Sequence, residues 1–259
     1  MSRAMRTAAS GMLAQQMQVD TIANNIANVN TSGFKRNRVS FRSLLYTTLR
    51  EPGSSTSATQ MNPTGLQLGS GSEVSSSVKL YLQGDPEPTG NPYDMFINGN
   101  GFFKVATGDG TFKYTRDGSF RRDGNGDIVT VDGLRLEPGI NVPDNIKDVV
   151  VGNDGLVQGR VGDTIQTIGQ LRLSRFPNPN GLRAEGENFY RETPSSGVPV
   201  EQTPGEGGAG LIRQQFLERS NVAIVDELIA LIQAQRNYEV NSRTISVSDE
   251  MMQQVSQLI

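Results

Sequence analysis

Few residues in this sequence have types and spacings that could do chemistry. Asp123-Gly124-Asn125-Gly126-Asp127 has the alternating oxygen donors that open a calcium loop. Such a loop needs Gly at its sixth position and a bidentate Glu at its twelfth. Those places hold Ile128 and Leu134, so the pattern predicts a hairpin turn instead. Gly99-Asn100-Gly101 and Gly108-Asp109-Gly110 have the small residues that can cradle a phosphate. Neither opens a helix after a strand and no Gly-Lys-Ser/Thr follows, so both are expected as turns. Arg116-Asp117 and Arg121-Arg122-Asp123 place opposite charges side by side, with no candidate base or nucleophile beside them. Surface pairs of this kind contribute little.

Composition narrows the chemistry further. The 259 residues include no Cys, no His and no Trp. That removes disulfides, thiolate metal sites and cysteine nucleophiles, and with them the commonest general base and metal ligand. The expectation is a protein that is not an enzyme, with no catalytic residue, no metal and no cofactor. The net charge of −3 recruits no nucleic acid, which wants a basic face. The first 25 residues carry two early Arg, but Thr7, Ser10, Gln15 and Gln16 interrupt any apolar core. No cleavable signal peptide is expected there, and no stretch reaches the roughly 20 apolar residues of a membrane span.

The elements that must position these residues follow from the breakers. All 12 Pro lie between Pro52 and Pro204, and most of the 29 Gly lie between Gly99 and Gly210. Breaker-free ends permit long helices, and a breaker-rich middle implies turns between strands. The expected fold class is α+β. Long N- and C-terminal helices form a coiled-coil-like inner domain, with β-rich connecting and outer domains. In residues 1–29, Met1, Met5, Ala8, Met12, Gln15, Val19, Ile22, Ile26 and Val29 keep a 4-3 rhythm, as in the seam of a coiled coil. Gly33 stands where a C-cap could close this helix. In 221–259, Ile224, Leu228, Leu231, Tyr238, Ile245, Met252 and Ile259 keep the heptad phase, with Ser220 or Asn221 as the natural N-cap.

Residues 53–77 hold 11 Ser or Thr among 25, the composition of a linker. Yet Leu66, Leu68, Val74, Val78, Leu80 and Leu82 keep one parity, which predicts an extended hairpin or arm with a partly covered face. Between 93 and 175, short apolar runs separated by Gly-Asp, Asp-Gly and Asn-Gly turns predict a compact β-domain. Ile212, Gln214 and Phe216 predict one returning strand before the last helix. Apolar stripes wider than one seam, on a chain with a lean core, point to an interface. The candidate assembly residues are Met5, Ala8, Met12, Val19, Ile22, Ile26 and Val29 on the first helix. On the second they are Leu228, Leu231, Tyr238, Ile245 and Met252. Leu49, Pro52, Met61, Leu66 and Leu68 are the candidates on the arm.

Four segments carry a resemblance. Ile22–Arg36 (IANNIANVNTSGFKR), Asn98–Val105 (NGNGFFKV), Tyr114–Phe120 (YTRDGSF) and Val225–Leu258 resemble, in order, the signatures of the flagellar rod and hook family. Leu44–Gly71 and Gly186–Pro199 resemble segments of a rod member rather than a hook subunit, and the chain is short for a hook subunit. The resemblance implies terminal helices (1–32 with 221–259) as an inner tube. It further implies a connecting β-region (33–90 with 204–220, including the arm 44–71) and an outer β-domain (91–203). It implies a helical homopolymer serving as a rigid driveshaft in the basal body across the periplasm. The implied partners are further copies of the chain, proximal rod proteins, hook or hook-junction proteins, a surrounding ring bushing and the type III export apparatus. Export would proceed without a cleaved signal peptide. A proximal rod or hook subunit, and a secreted coiled-coil adhesin with a β head, are the alternatives, with a β-domain hydrolase more distant.

Overall fold

The computed structural model describes residues 3–52, 55–57, 60–61, 64–146, 148–162 and 164–257, with backbone only at 55–57, 60–61 and 257. The chain forms two compact units. One comprises Met1–Ala27, Asn37–Val78 and Ala223–Ile259; the other comprises Asn28–Arg36 and Lys79–Val222. The described residues make a mixed α+β chain, with a helix toward each end and strands between.

In the first unit, α1 (Arg3–Ala27) packs on α2 (Ile224–Gln257). At 1.5 Å per residue they run about 38 and 51 Å. Gly11 lies against Asn241 and Asn25 against Glu227, so the helices are antiparallel. The contact line keeps Ala8 and Ile22 of the expected seam and otherwise departs from it. On α1 the buried residues are Ala8, Ala14, Ile22 and Asn25; on α2 they are Glu227, Ala234 and Ser248. With Asn241 the α2 positions recur every seven residues, and with Gly11 the α1 positions line the facing side. Met5, Met12, Val19 and Ile26 flank it half-buried, as Leu231 and Ile245 do on α2, while Leu228, Tyr238 and Met252 are exposed. The physical reason is closeness. A Cβ on Gly11 would stand 3.0 Å from Asn241 Nδ2, so small and polar side chains occupy the line where the helices approach.

Three further expectations are corrected at the helix ends. Val29 lies in the turn after α1, outside the helix. Gly33 is no C-cap: it has φ +69 and donates its N–H to the Glu218 carbonyl. Asn221 does not cap α2, which starts at Ile224. Its side chain instead donates to the Leu80 and Leu82 carbonyls and accepts from the Arg36 N–H.

The arm is a hairpin built of successive pairs: Asn37–Ser43 with Ser72–Lys79, Thr47–Arg50 with Leu66–Leu68, and Ser55–Ser57 with Gln60–Met61. Within its unit it is anchored at the root, where Ser10 Oγ accepts the Ser72 N–H at 3.4 Å and Arg3 donates to Thr47 Oγ1.

The second unit is built mainly of β-strands, with a 3-10 turn at Pro179–Gly181. Its main sheet runs Phe120–Arg122, Ile128–Thr130, Arg135–Glu137, Phe103–Ala106, Phe112–Thr115, Phe189–Arg191, Arg183–Gly186, with every neighbouring pair antiparallel. Asp148–Val151, Leu156–Val161 and Thr164–Gln170 make a three-stranded sheet. Adjacent Phe102 and Phe103 point to opposite faces, as a strand requires. Phe103 joins the large core with Val105, Phe120 and Leu136, and Phe102 joins a smaller one with Tyr114, Phe176 and Tyr190. The expected returning strand is broken at Gln215, which has φ +66. Leu211–Gln214 pairs with Met95–Asn98, and Phe216–Glu218 pairs with Pro86–Pro88.

Candidate assembly interface

The helix pair leaves a large apolar surface uncovered. At 100° per residue, Val225, Ile229, Ile232, Val240 and Val247 fall on the side of α2 turned away from Glu227, Ala234 and Ser248. These five, with Met251 and Val255 further along the helix, are between 47 and 68% exposed. On α1, Leu13 and Met17 are exposed in the same way. On the arm, Leu45, Tyr46, Leu49, Leu66 and Leu68 are exposed, as is Pro52. The side chain of Met61 lies outside the described residues. Sequence reading puts Leu49, Leu66 and Leu68 among the interface candidates; it counts Val225, Ile229 and Ile232 as apolar positions off the heptad line, widening the apolar surface, without making them candidates. It followed the heptad line, and the packing takes a neighbouring line.

Each unit has one buried polar joint. In the first unit, Asn25 clamps Asn37 at both ends: its Nδ2 donates to the Asn37 carbonyl and its Oδ1 accepts the Asn37 N–H, each at 2.9 Å. The same Nδ2 reaches Glu227 Oε2 at 3.2 Å. One buried side chain thus ties α1, the root of the arm and the first turn of α2.

In the second unit, Lys35 and Glu218 are almost wholly buried and pair at 2.6 Å. Lys35 Nζ also donates to the Leu82 carbonyl, and Glu218 Oε1 also accepts the Gly84 N–H. The buried Arg116 guanidinium stands 3.8 Å from Glu218 Oε2. Burial holds the Lys35 ammonium below the usual lysine range, and the Glu218 carboxylate offsets part of that. Burial likewise pushes the Tyr190 phenol up to about 12. Nothing in a single sequence marks Lys35 and Glu218 as partners, since 183 positions separate them.

Of the residues considered for chemistry, Arg116 is no surface pair with Asp117: it is buried and stands beside Glu218, because a buried carboxylate and the Ile97 and Gly99 carbonyls take its guanidinium; the turn residues resolve as local structure. Asp123 accepts the Asn125 and Asp127 N–H groups and closes its own turn, and Asp127 pairs with Arg135. Thr107 and Thr111 close the Gly108-Asp109-Gly110 turn. Among the described residues no cluster of three acidic or other metal-binding side chains occurs, and no helix is long and apolar enough to cross a membrane.

Comparison with known proteins matches this architecture along its length. The model described as "Flagella basal body rod protein" matches residues 5–35. The one described as "Flagellar hook protein FlgE/F/G D1 domain" matches 96–159, and "Flagellar basal body rod FlgEFG protein C-terminal" matches 213–258. The flagellar basal-body rod protein FlgG of Buchnera aphidicola subsp. Schizaphis graminum is 46% identical over 251 residues, covering 96% of each chain. FlgG of Caulobacter vibrioides is 45% identical over 259 residues and 99% of each chain. FlgG of Bacillus subtilis is 38% identical, covering 100% of this chain and 99% of its own. The chain belongs to the FlgG family of flagellar basal-body rod proteins. The family's N-terminal match, 5–35, contains Asn25 and Lys35, and its C-terminal match contains Glu218 and Glu227. The matched ends therefore hold both halves of each polar joint. Tyr114, Thr115, Arg116 and Phe120 of the central segment are buried as well, which makes that motif part of the core.

Proposed function

We propose that the chain is a structural subunit that polymerises helically into the rigid distal rod of the flagellar basal body and transmits torque toward the hook. The observation that carries this is the apolar stripe on α2, on the side its own α1 does not cover. One patch meeting a different patch on the next copy is a heterologous contact, which propagates as a helix, and an exposed apolar surface of this extent marks such an interface. In the assembled state the helices form a coiled-coil-like inner layer (1–32 with 221–259). A connecting region (33–90 with 204–220) and an outer β-domain (91–203) complete the subunit. Proximal rod proteins, hook or hook-junction proteins and the ring bushing are its neighbours across the periplasm. Delivery is through the type III export apparatus without signal cleavage.

The test substitutes Val225→Asp and Ile232→Asp together. Both sites are exposed in the single chain, so its stability should move by less than about 1 kcal/mol, while burying unpaired carboxylates at every contact should stop polymerisation. Electron microscopy and sedimentation velocity read the two effects. Tubes of normal appearance from this variant would exclude the stripe as the contact.

A further inference from the structure

The two larger sheets of the β-unit end in four edge strands, and three of these are protected. Arg183–Gly186 carries Arg183 and Glu185, and Glu185 pairs with Lys113 and Arg191. Phe120–Arg122 carries Arg121 and Arg122, and Arg122 pairs with Asp144. Asp148–Val151 is capped by a side chain. Gln214 donates to the Val149 carbonyl at 2.8 Å and accepts the Val151 N–H at 3.0 Å. Charge and capping are the usual protections of an edge against pairing with another chain.

The fourth edge, Thr164–Gln170, has neither. Its seven residues (TIQTIGQ) include no charge and no proline, and four are β-branched. Thr164, Ile165, Gln166 and Thr167 are all exposed, Ile165 to 68%. On one side the strand pairs with Leu156–Val161. On the other, no backbone hydrogen bond reaches Thr164–Ile168 among the described residues. An open edge of this composition is a template for a further strand. The edges that a second copy offers decide which strand fits, since only its own Thr164–Gln170 is open and uncharged. Antiparallel pairing of the two about a two-fold axis at Gln166 sets Gln166 opposite Gln166. Ile165 then lies opposite Thr167 of the other copy, and Thr164 opposite Ile168. Residues of one parity meet, so the sheet faces match. Ile168, which packs beside Gly159 and the core, stays on the core side of both sheets. No charge is buried, and β-branched residues face each other across the join, which favours pairing.

We propose that the free chain forms a two-fold pair with a second copy through the Thr164–Gln170 edges, joining two three-stranded sheets into one of six. So short a contact falls below standard interface size, so the expected Kd is about 10–1,000 μM. A polymer grown by heterologous contacts is polar and relates successive subunits by no two-fold axis. On the polymer reading proposed for α2, the pair therefore belongs to chains not yet assembled. It uses no residue of the α2 stripe.

The chain has no Cys, so a single Gln166→Cys reports the contact as a disulfide with its own counterpart. Directly opposed residues have Cα atoms about 4.5–5.5 Å apart, inside disulfide range. Val198→Cys, 81% exposed elsewhere on the β-unit, measures random collision. Both are made in the full-length chain carrying Val225→Asp and Ile232→Asp, which removes the α2 contact. Under mild oxidation at about 100 μM, within the expected range of Kd, Gln166→Cys should form covalent dimer at least about tenfold faster than Val198→Cys. Sedimentation velocity of the same chain with Gln166 intact should show a monomer–dimer equilibrium. Gln166→Lys sets like charges opposite each other and should weaken that dimer about tenfold, whereas Gln166→Thr should keep it. Equal cross-linking of the two cysteine variants, or a Gln166→Lys dimer as strong as its parent, would overturn the proposal. So would absence of the dimer with amide exchange at Ile165 and Thr167 slowed only in cell extract, which would give the edge to another protein. If the α2 reading fails, this background still builds tubes; the cross-link ratio decides the β contact in either case.

Discussion

Glu218→Gln isolates what the buried charge contributes to the joint in the β-unit. The amide keeps the shape, and its Oε1 can still accept from Lys35 Nζ and the Gly84 N–H, so hydrogen-bond count changes little. What is lost is the only carboxylate facing two buried cations. At an effective dielectric of about 20, unit charges 2.6 and 3.8 Å apart attract by about 6 and 4 kcal/mol. Desolvating the carboxylate cancels several kcal/mol of that, and removing one partner of a buried pair costs about 3–5 kcal/mol net. For a unit of about 150 residues, each kcal/mol shifts the melting temperature by about 2–4 °C. The expected fall is therefore about 6–20 °C in the transition reported by near-ultraviolet circular dichroism of the tyrosines. Lys35→Met alone should also destabilise. The double variant should lose at least about 2 kcal/mol less than the sum of the singles, because the uncompensated charges disappear together. A loss under about 1 kcal/mol for Glu218→Gln would refute the reasoning, since it would mean that water already screens the pair.

The other predictions rest on the same geometry. Asn25→Ala removes both anchors of Asn37 and one donor to Glu227, and should cost about 2–4 kcal/mol in urea unfolding followed by helical ellipticity. Asp117→Asn concerns a carboxyl that burial, with Asp94 adding to it, pushes above the usual aspartate range. A raised carboxyl pKa means the folded state holds the proton more tightly, so the wild type gains stability as pH falls through that raised value. The variant should therefore melt higher than wild type at pH near 8, with the advantage gone below about pH 4; an equal gain at both pH values would contradict the assignment. Deleting residues 50–66 removes most of the arm beyond its anchored root, and should leave both units folded and polymerisation intact while rods bend more. Rods as straight as wild type in electron micrographs would show that the arm does not set stiffness.

How much of this was legible in the sequence depended on the range of the interaction. The helices, the turns at Asp123 and Gly108 and the hairpin are local, and breaker placement and period-two parity marked them. Ala8 and Ile22 of the interhelical line stand on the expected seam, but Ala14, Asn25, Glu227, Ala234 and Ser248 do not, because periodicity ranks positions by hydrophobicity. The closest approach at Gly11 and Asn241 selects instead for small size. The Lys35–Glu218 and Asn25–Glu227 pairs join opposite ends of the chain, and no spacing rule reaches across that separation. Asn221 was read as a cap from its residue type, but tertiary acceptors at Leu80 and Leu82 took its side chain instead.

The polar inner line has a consequence for how the chain uses its apolar residues. Had Val225, Ile229 and Ile232 packed on α1, the helix pair would be satisfied by itself and would have little reason to associate. Small and polar groups instead fix the register of the pair through directional bonds such as Asn25 to Glu227, and the large side chains remain outside. Burying a Val or Ile fully is worth about 1.5–3 kcal/mol. The five residues on the outer side, about half exposed, therefore hold roughly 4–8 kcal/mol in reserve, before the entropy of association is subtracted. That reserve becomes available only when a neighbour arrives, which is the energetic arrangement a polymerising subunit requires.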